Sequence, residues 1–179
     1  MEHAFPFAPG FPACLRREAE SVILSARFVP HGNEVSAVLQ GERVAFPYRI
    51  YERPMCGGSS VPGGATGAML DCLLTRHHDG FVRQEHLGRL LGRTVEPFML
   101  PYILRLAEEY VIEIIRDIVK ACERLPKEPL ALFMRENPRW LSLMRDRCAS
   151  YWDCYYKRRF PLKEYPGIIL VESLSALLE

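Results

Sequence analysis

The chain carries no excess of either charge: Lys and Arg total 23, Asp and Glu 22, for a formal net charge of +1. Bulk electrostatics therefore favour neither a polyanion nor a membrane surface. No apolar run approaches the roughly 20 residues that a membrane-spanning helix requires. Met1–Pro12 has no positive segment followed by an apolar core, so no signal peptide is expected there. There is no Cys-x-x-Cys and no His-x-x-x-His, the pairings that zinc most often uses, and no Gly-x-Ser-x-Gly elbow. The six cysteines, at 14, 56, 72, 122, 148 and 154, are scattered and several fall inside expected helices. That pattern suits reduced, mostly buried thiols and a cytoplasmic location.

What is present is a helical pattern. Hydrophobic residues make up 49% and charged ones 25% of 179 residues, enough for one domain with its own core. The chain is organised around 65–124, which reads as three helices: Ala65–His78, Gly80–Gly92 and a long one over Pro101–Arg124. In the last, Arg105, Glu109, Glu113, Arg116, Lys120 and Glu123 fall three or four apart, as one wet stripe. Ile103, Ala107, Tyr110, Val111, Ile114 and Ile118 lie opposite. So wide an apolar arc needs neighbours on more than one side. Asp79 is placed to cap the amides of Phe81 and Val82, and Leu87, Leu90 and Leu91 give the inward face that follows. Leu70, Leu73 and Leu74 do the same upstream.

The other segments are read in turn. Residues 1–12 are an extended arm, irregular from Phe5 to Pro12. Residues 13–27 read as a helix with Leu15, Ala19, Val22, Ile23 and Ala26 on one face, although Ser21–Val29 also alternates as a strand would. Residues 33–51 read as a β-hairpin: Val35, Ala37 and Leu39, then Val44, Phe46, Tyr48 and Ile50, around Gly41-Glu42-Arg43, with Pro47 on an edge strand. Residues 52–67 are a Gly/Pro loop and 65–179 a helical stack. Within it, Pro129–Arg135 is a short helix. Asn137 as N-cap with Pro138 at the first helical position opens another, with Leu141, Met144, Cys148, Tyr151, Trp152 and Tyr155 along its inner face. Phe160-Pro161 ends it, Tyr165-Pro166-Gly167 is a turn, and Ile168–Leu178 is a final helix or strand. The fold class is mainly α: stacked antiparallel helices with one small β-hairpin.

Three stretches invite a chemical reading. The glycine-rich loop from Cys56 to Gly67 has the look of a phosphate cradle, but Ala68-Met69 stand where a P-loop needs Lys and Ser or Thr. His77-His78-Asp79, with Arg83, Cys72 and His86 close in sequence, is the most polar knot of the central stretch. Adjacent helical histidines diverge by about 100°, so the plainer reading is helix-end histidines offsetting a dipole and an aspartate capping the next helix. No metal, cofactor or catalytic residue is assigned. Third, the segment Arg135–Lys163 is aromatic and basic together. Eight cations (135, 139, 145, 147, 157, 158, 159, 163) less three anions (136, 146, 153) leave +5. Arg145, Lys157, Arg158 and Arg159 could meet phosphates beside stacking rings; otherwise the rings are core and the cations a solvated face.

Asp79-Gly80-Phe81-Val82-Arg83, followed by Leu87 and Leu90-Leu91-Gly92, resembles the second-helix signature of HEAT-type α-helical repeats over about 65–124. Glu108-Glu109-Tyr110-Val111 is a degenerate echo of it, expected inside a helix instead of at a helix start. The resemblance implies a scaffold whose stacked helices present extended surfaces. The functional expectation is therefore a non-enzymatic module that binds another protein or a second copy of itself, with no membrane role. A nucleic-acid-binding protein using helix 138–159 is the alternative. An enzyme using a His/Asp/Cys site is a third reading.

Overall fold

The computed structural model describes residues 8–26, 28, 30–51 and 63–178. The expectations for 1–7 of the arm and for 52–62 of the glycine-rich loop lie outside the described residues. The chain is mainly α, with eight α-helices and one two-stranded antiparallel hairpin among the described residues. Its contacts gather it into two compact units, 1–92 and 93–179. Among the described residues no helix is long and apolar enough to cross a membrane.

In the first unit, a short 3-10 turn at Ala8–Gly10 precedes Phe11, whose side chain is fully buried. Helix α1, Arg16–Ala26, buries Ala19, Val22 and Ile23, the face that helical periodicity assigns. The hairpin joins β1 (Pro30–Leu39) to β2 (Glu42–Ile50), with Val35 opposite Phe46 and Ala37 opposite Val44. Ala37, Leu39, Val44, Phe46 and Ile50 are buried, as the period-2 pattern assigns, but the alternation fails at Pro47, which is buried, and Tyr48, expected inward, is 40% exposed. The turn is tighter than the sequence suggests. Gln40 and Gly41, at φ +53° and +82°, make the two-residue connection, and Glu42 and Arg43 already belong to β2. Two left-handed residues match the right-handed twist of the paired strands.

Helices α2 (Gly64–Leu74) and α3 (Gly80–Leu91) pack on each other, and Leu70, Leu73, Leu74, Leu87 and Leu90 are all buried, whereas Leu91, expected inward, is half-buried. Helix α2 starts at Gly64, so the loop is shorter than 52–67, and it ends at Leu74 instead of His78. The early stop has a tertiary cause. Ile50 at the end of β2 donates its amide to the Arg76 carbonyl (2.8 Å) and accepts from the His78 amide (2.8 Å), which draws 76–78 into a parallel bridge. Arg83 on α3 then donates one guanidinium nitrogen to the carbonyls of His77 (2.9 Å) and His78 (2.7 Å). These groups cannot also complete a helical turn.

The second unit overturns the long helix expected over Pro101–Arg124. After a 3-10 turn at Pro97–Met99 there are two helices, α4 (Leu100–Leu106) and α5 (Ile112–Ala121), with irregular backbone between them. Helix α4 is buried over its whole length. Arg105 and Glu109, assigned to the wet stripe, are buried, at 8% and 5% exposure, while Tyr110, assigned to the core, is 55% exposed. The break contains neither Pro nor Gly. What it achieves is electrostatic: Glu108, 5% exposed, turns inward and bonds both Arg105 and Arg147. A buried carboxylate needs such partners, and satisfying it outweighs a few helical hydrogen bonds. The Glu108–Val111 echo accordingly precedes the start of α5 and does not lie inside a helix.

Helix α6 is Lys127–Glu136 and α7 is Pro138–Tyr151. Pro138 opens α7 as expected, but Asn137 does not cap it. Its side-chain amide instead donates to the Phe133 carbonyl (2.8 Å), closing the end of α6. Trp140, which the sequence pattern leaves off the inner face, is buried edge-on to Phe133. Helix α8, Pro166–Ser175, takes in Pro166 and Gly167 of the residues read as a turn, with Pro166 at its first position and α7 and α5 as neighbours. Its approach to α7 is close: a Cβ on Gly167 would lie 2.8 Å from Cys148 Sγ.

Candidate functional site: an exposed tyrosine face

The His77-His78-Asp79 knot is resolved into three separate tasks. His77 is buried, at 1% exposure, and its Nδ1 accepts from the Asp79 amide (3.1 Å). His78 is exposed and stacks on Tyr51, with ring centroids 5.0 Å apart. Asp79 caps α3 through the Phe81 amide (2.9 Å), as its position predicts. Arg83 is buried at 3% and holds the two histidine carbonyls. The histidines therefore follow α2 in the bridge to Ile50, and do not sit in its last turn opposing its dipole. Among the described residues no group of three His, Cys, Asp or Glu side chains is arranged to hold a metal.

Sequence reasoning did not single out Asp71. It is fully buried in α2, accepts from His86 Nδ1 of α3 at 2.7 Å, and lies 3.9 Å from an Arg89 nitrogen. The signal was available: an aspartate inside the apolar run Ala68–Leu74 must find a partner. The pair fixes α2 against α3.

The basic residues of the α7 region also separate. Arg145 reaches Ser175 Oγ of α8 (3.3 Å) and lines a shallow cleft of about 250 Å³ with Pro138, Leu141, Ser142 and Asp146. Lys157 pairs with Asp153 at 3.0 Å. Arg158 and Arg159 are exposed, and the Arg159 guanidinium lies 5.3 Å from the Phe160 ring centroid. Arg116 of α5 lies 5.6 Å from the same ring.

Beside these cations two irregular segments meet. One is the break after α4. The other is a π-helical turn, Trp152–Tyr156, closed by the Lys157 amide on the Trp152 carbonyl (2.8 Å). Such turns are rare and cluster at functional sites. The wider turn shifts the register after α7, so Tyr155, expected inside with Tyr151, is 64% exposed. Trp152 stays half-buried and donates Nε1 to the Phe160 carbonyl at 2.8 Å. The Tyr156 hydroxyl donates to the Tyr110 carbonyl at 2.6 Å, tying the π turn to the break.

Around that bond the rings are continuous. Tyr110 lies 6.1 Å from Tyr151 and 6.0 Å from Tyr155, centroid to centroid. Tyr155 lies 6.3 Å from Tyr156, which stacks at 5.3 Å on the fully buried Tyr165. Burial raises the Tyr156 hydroxyl above its ordinary pKa, and the neighbouring Glu113 charge adds to the effect. Both keep the phenol protonated as a donor. Tyr110 and Tyr155 thus stand exposed on a support that is itself anchored in the core. Searches against family models, curated proteins and solved structures find no match to this chain.

Proposed function

We propose that this chain is a non-enzymatic protein-interaction module, and that Tyr110, Tyr151 and Tyr155 form the centre of its contact surface. The observation that carries the reading is the meeting of a helix break and a π turn beneath two exposed tyrosines. A partly buried ion triad around Glu108, a π turn and a ring stack together hold two large rings in water. Tyrosine and arginine dominate the residues that anchor protein interfaces, because a ring offers much contact area with few rotors to freeze. The resemblance to HEAT-type repeats points the same way, since such helices serve as binding scaffolds. A cytoplasmic location fits the five described cysteines, all of which are free.

The test is affinity capture from native lysate, with nuclease, comparing the natural chain with a Tyr110→Ala, Tyr155→Ala variant. Partners should survive nuclease and be lost from the variant. An unchanged set of partners would remove the tyrosine face from consideration.

Nucleic-acid binding is the second reading, favoured by the arginines beside exposed rings. It requires affinity that falls steeply with salt, and a slope reduced by up to about 3 in the triple Lys157, Arg158 and Arg159→Ala variant.

A further inference from the structure

We infer that the partner presents an acidic segment, whose carboxylates meet Arg116, Arg158 and Arg159 while an apolar or aromatic side chain lies on Tyr110 and Tyr155. The inference rests on the interaction-module reading and names the chemistry of the partner at that same face.

Charge is the first ground. None of the three arginines has a carboxylate partner among the described residues, whereas neighbouring Lys157 is already paired with Asp153. Glu113 and Asp117 flank Arg116 on α5, and Asp153 and Glu164 each lie five residues from the Arg158–Arg159 pair, but none of the four is paired with these arginines. Guanidinium groups bind carboxylates through two parallel hydrogen bonds, and arginine over an aromatic ring is held in a preferred orientation. Arg116 and Arg159 both sit over Phe160, at 5.6 and 5.3 Å, so two forks are pre-positioned by one ring.

The second ground is layout, which decides between carboxylates and a nucleic-acid backbone. Arg116 and Arg159 share one ring, with Arg158 next to Arg159 in the chain, so the two ring-bound cations form a spot and not a track. A single strand occupies roughly 4 or more nucleotides along a basic groove. With a net charge of +1, the chain as a whole supplies no long-range attraction for a polyanion. A spot of cations beside an apolar ring pair matches a short acidic segment with one anchor.

The experiment uses the full chain and three labelled probes: a glutamate–tyrosine copolymer, a lysine–tyrosine copolymer and a single-stranded oligonucleotide. The glutamate–tyrosine probe should bind, and the lysine–tyrosine probe should not. Arg158→Glu with Arg159→Glu should weaken binding by about tenfold, a rim-charge effect that salt also diminishes. Both positions are exposed, so an unchanged thermal transition verifies that this variant folds. Equal binding of the two copolymers, or tighter binding of the oligonucleotide, would overturn the inference. So would dimerisation without any probe that Tyr110→Ala and Tyr155→Ala abolish, since a second copy would then occupy the face. In the lysate experiment, partners lost from the tyrosine variant but kept by the arginine variant would refute the acidic partner alone. Partners kept by both would refute the contact surface itself.

Discussion

Substituting Gly167 by alanine tests the packing that supports the tyrosine face. The glycine is buried near the start of α8, at backbone angles that an L-residue can adopt, so the outcome turns on space. An added Cβ would lie 2.7 Å from Tyr165 Cε1, 2.8 Å from Cys148 Sγ and 3.2 Å from Cys148 Cβ. Carbon contacts prefer about 3.5–4.0 Å, so two neighbours must each give by most of an ångström. Neither is loose: Cys148 is on α7, and Tyr165 is stacked on Tyr156 and touches Phe160. Overpacking of this kind costs about 1–3 kcal/mol, and the better helix propensity of alanine returns at most about 1. The expected net loss is about 1–2 kcal/mol, a fall of about 0.5–1 M in urea midpoint. Both tryptophans of the chain, Trp140 and Trp152, belong to the second unit, so intrinsic fluorescence reports on it selectively. Adding Cys148→Ala removes the Sγ contact, and the double variant should exceed the sum of the singles by about 1 kcal/mol. A Gly167→Ala protein as stable as the natural one, or strict additivity, would refute the packing argument.

Four further outcomes follow from other parts of the fold. Burial pushes the Cys148 thiol from 9.0 up to about 12, with the Glu108 charge adding to it. The unfolded chain therefore loses this proton first, and stability of the second unit should decline as pH rises from 9 towards 12, with fluorescence-monitored urea melts as the readout. Cys14 and Cys154 are exposed and should react with a thiol reagent in the native protein, while Cys72 and Cys148 should react only on unfolding, as peptide mapping would show. Asp79→Ala should cost about 0.5–2 kcal/mol and speed hydrogen exchange in α3, because the Phe81 amide loses its acceptor. Ile114→Asp should be severe, since that side chain has no exposure, whereas Glu113→Gln, one residue away and exposed, should leave the thermal transition where it is.

Some of this molecule is determined by residues a few positions apart. Asp79 starts α3 because its carboxylate meets an amide two residues on, and the hairpin's inner face follows from alternation through Ala37, Leu39, Val44 and Phe46, up to Tyr48, which turns outward. The leucines at 70, 73, 74, 87 and 90 point inward because helical spacing leaves them no other side. These are local interactions, and a one-dimensional pattern records them fully.

The tyrosine face is of another kind. The helix expected from Pro101 to Arg124 breaks because Glu108 is joined to Arg147, 39 residues away. Tyr110 is then held beside Tyr156, 46 residues on, by a hydroxyl whose reach depends on a π turn. Helix α2 likewise stops short because β2, which precedes it, claims the backbone of 76–78. Periodicity reads each helix as though alone, so it assigned Tyr110 and Tyr155 to the core and Arg105 and Glu109 to water. Only the tertiary structure could reverse those assignments, because a buried charge is satisfied by whichever partner the fold brings to it, at any distance along the chain.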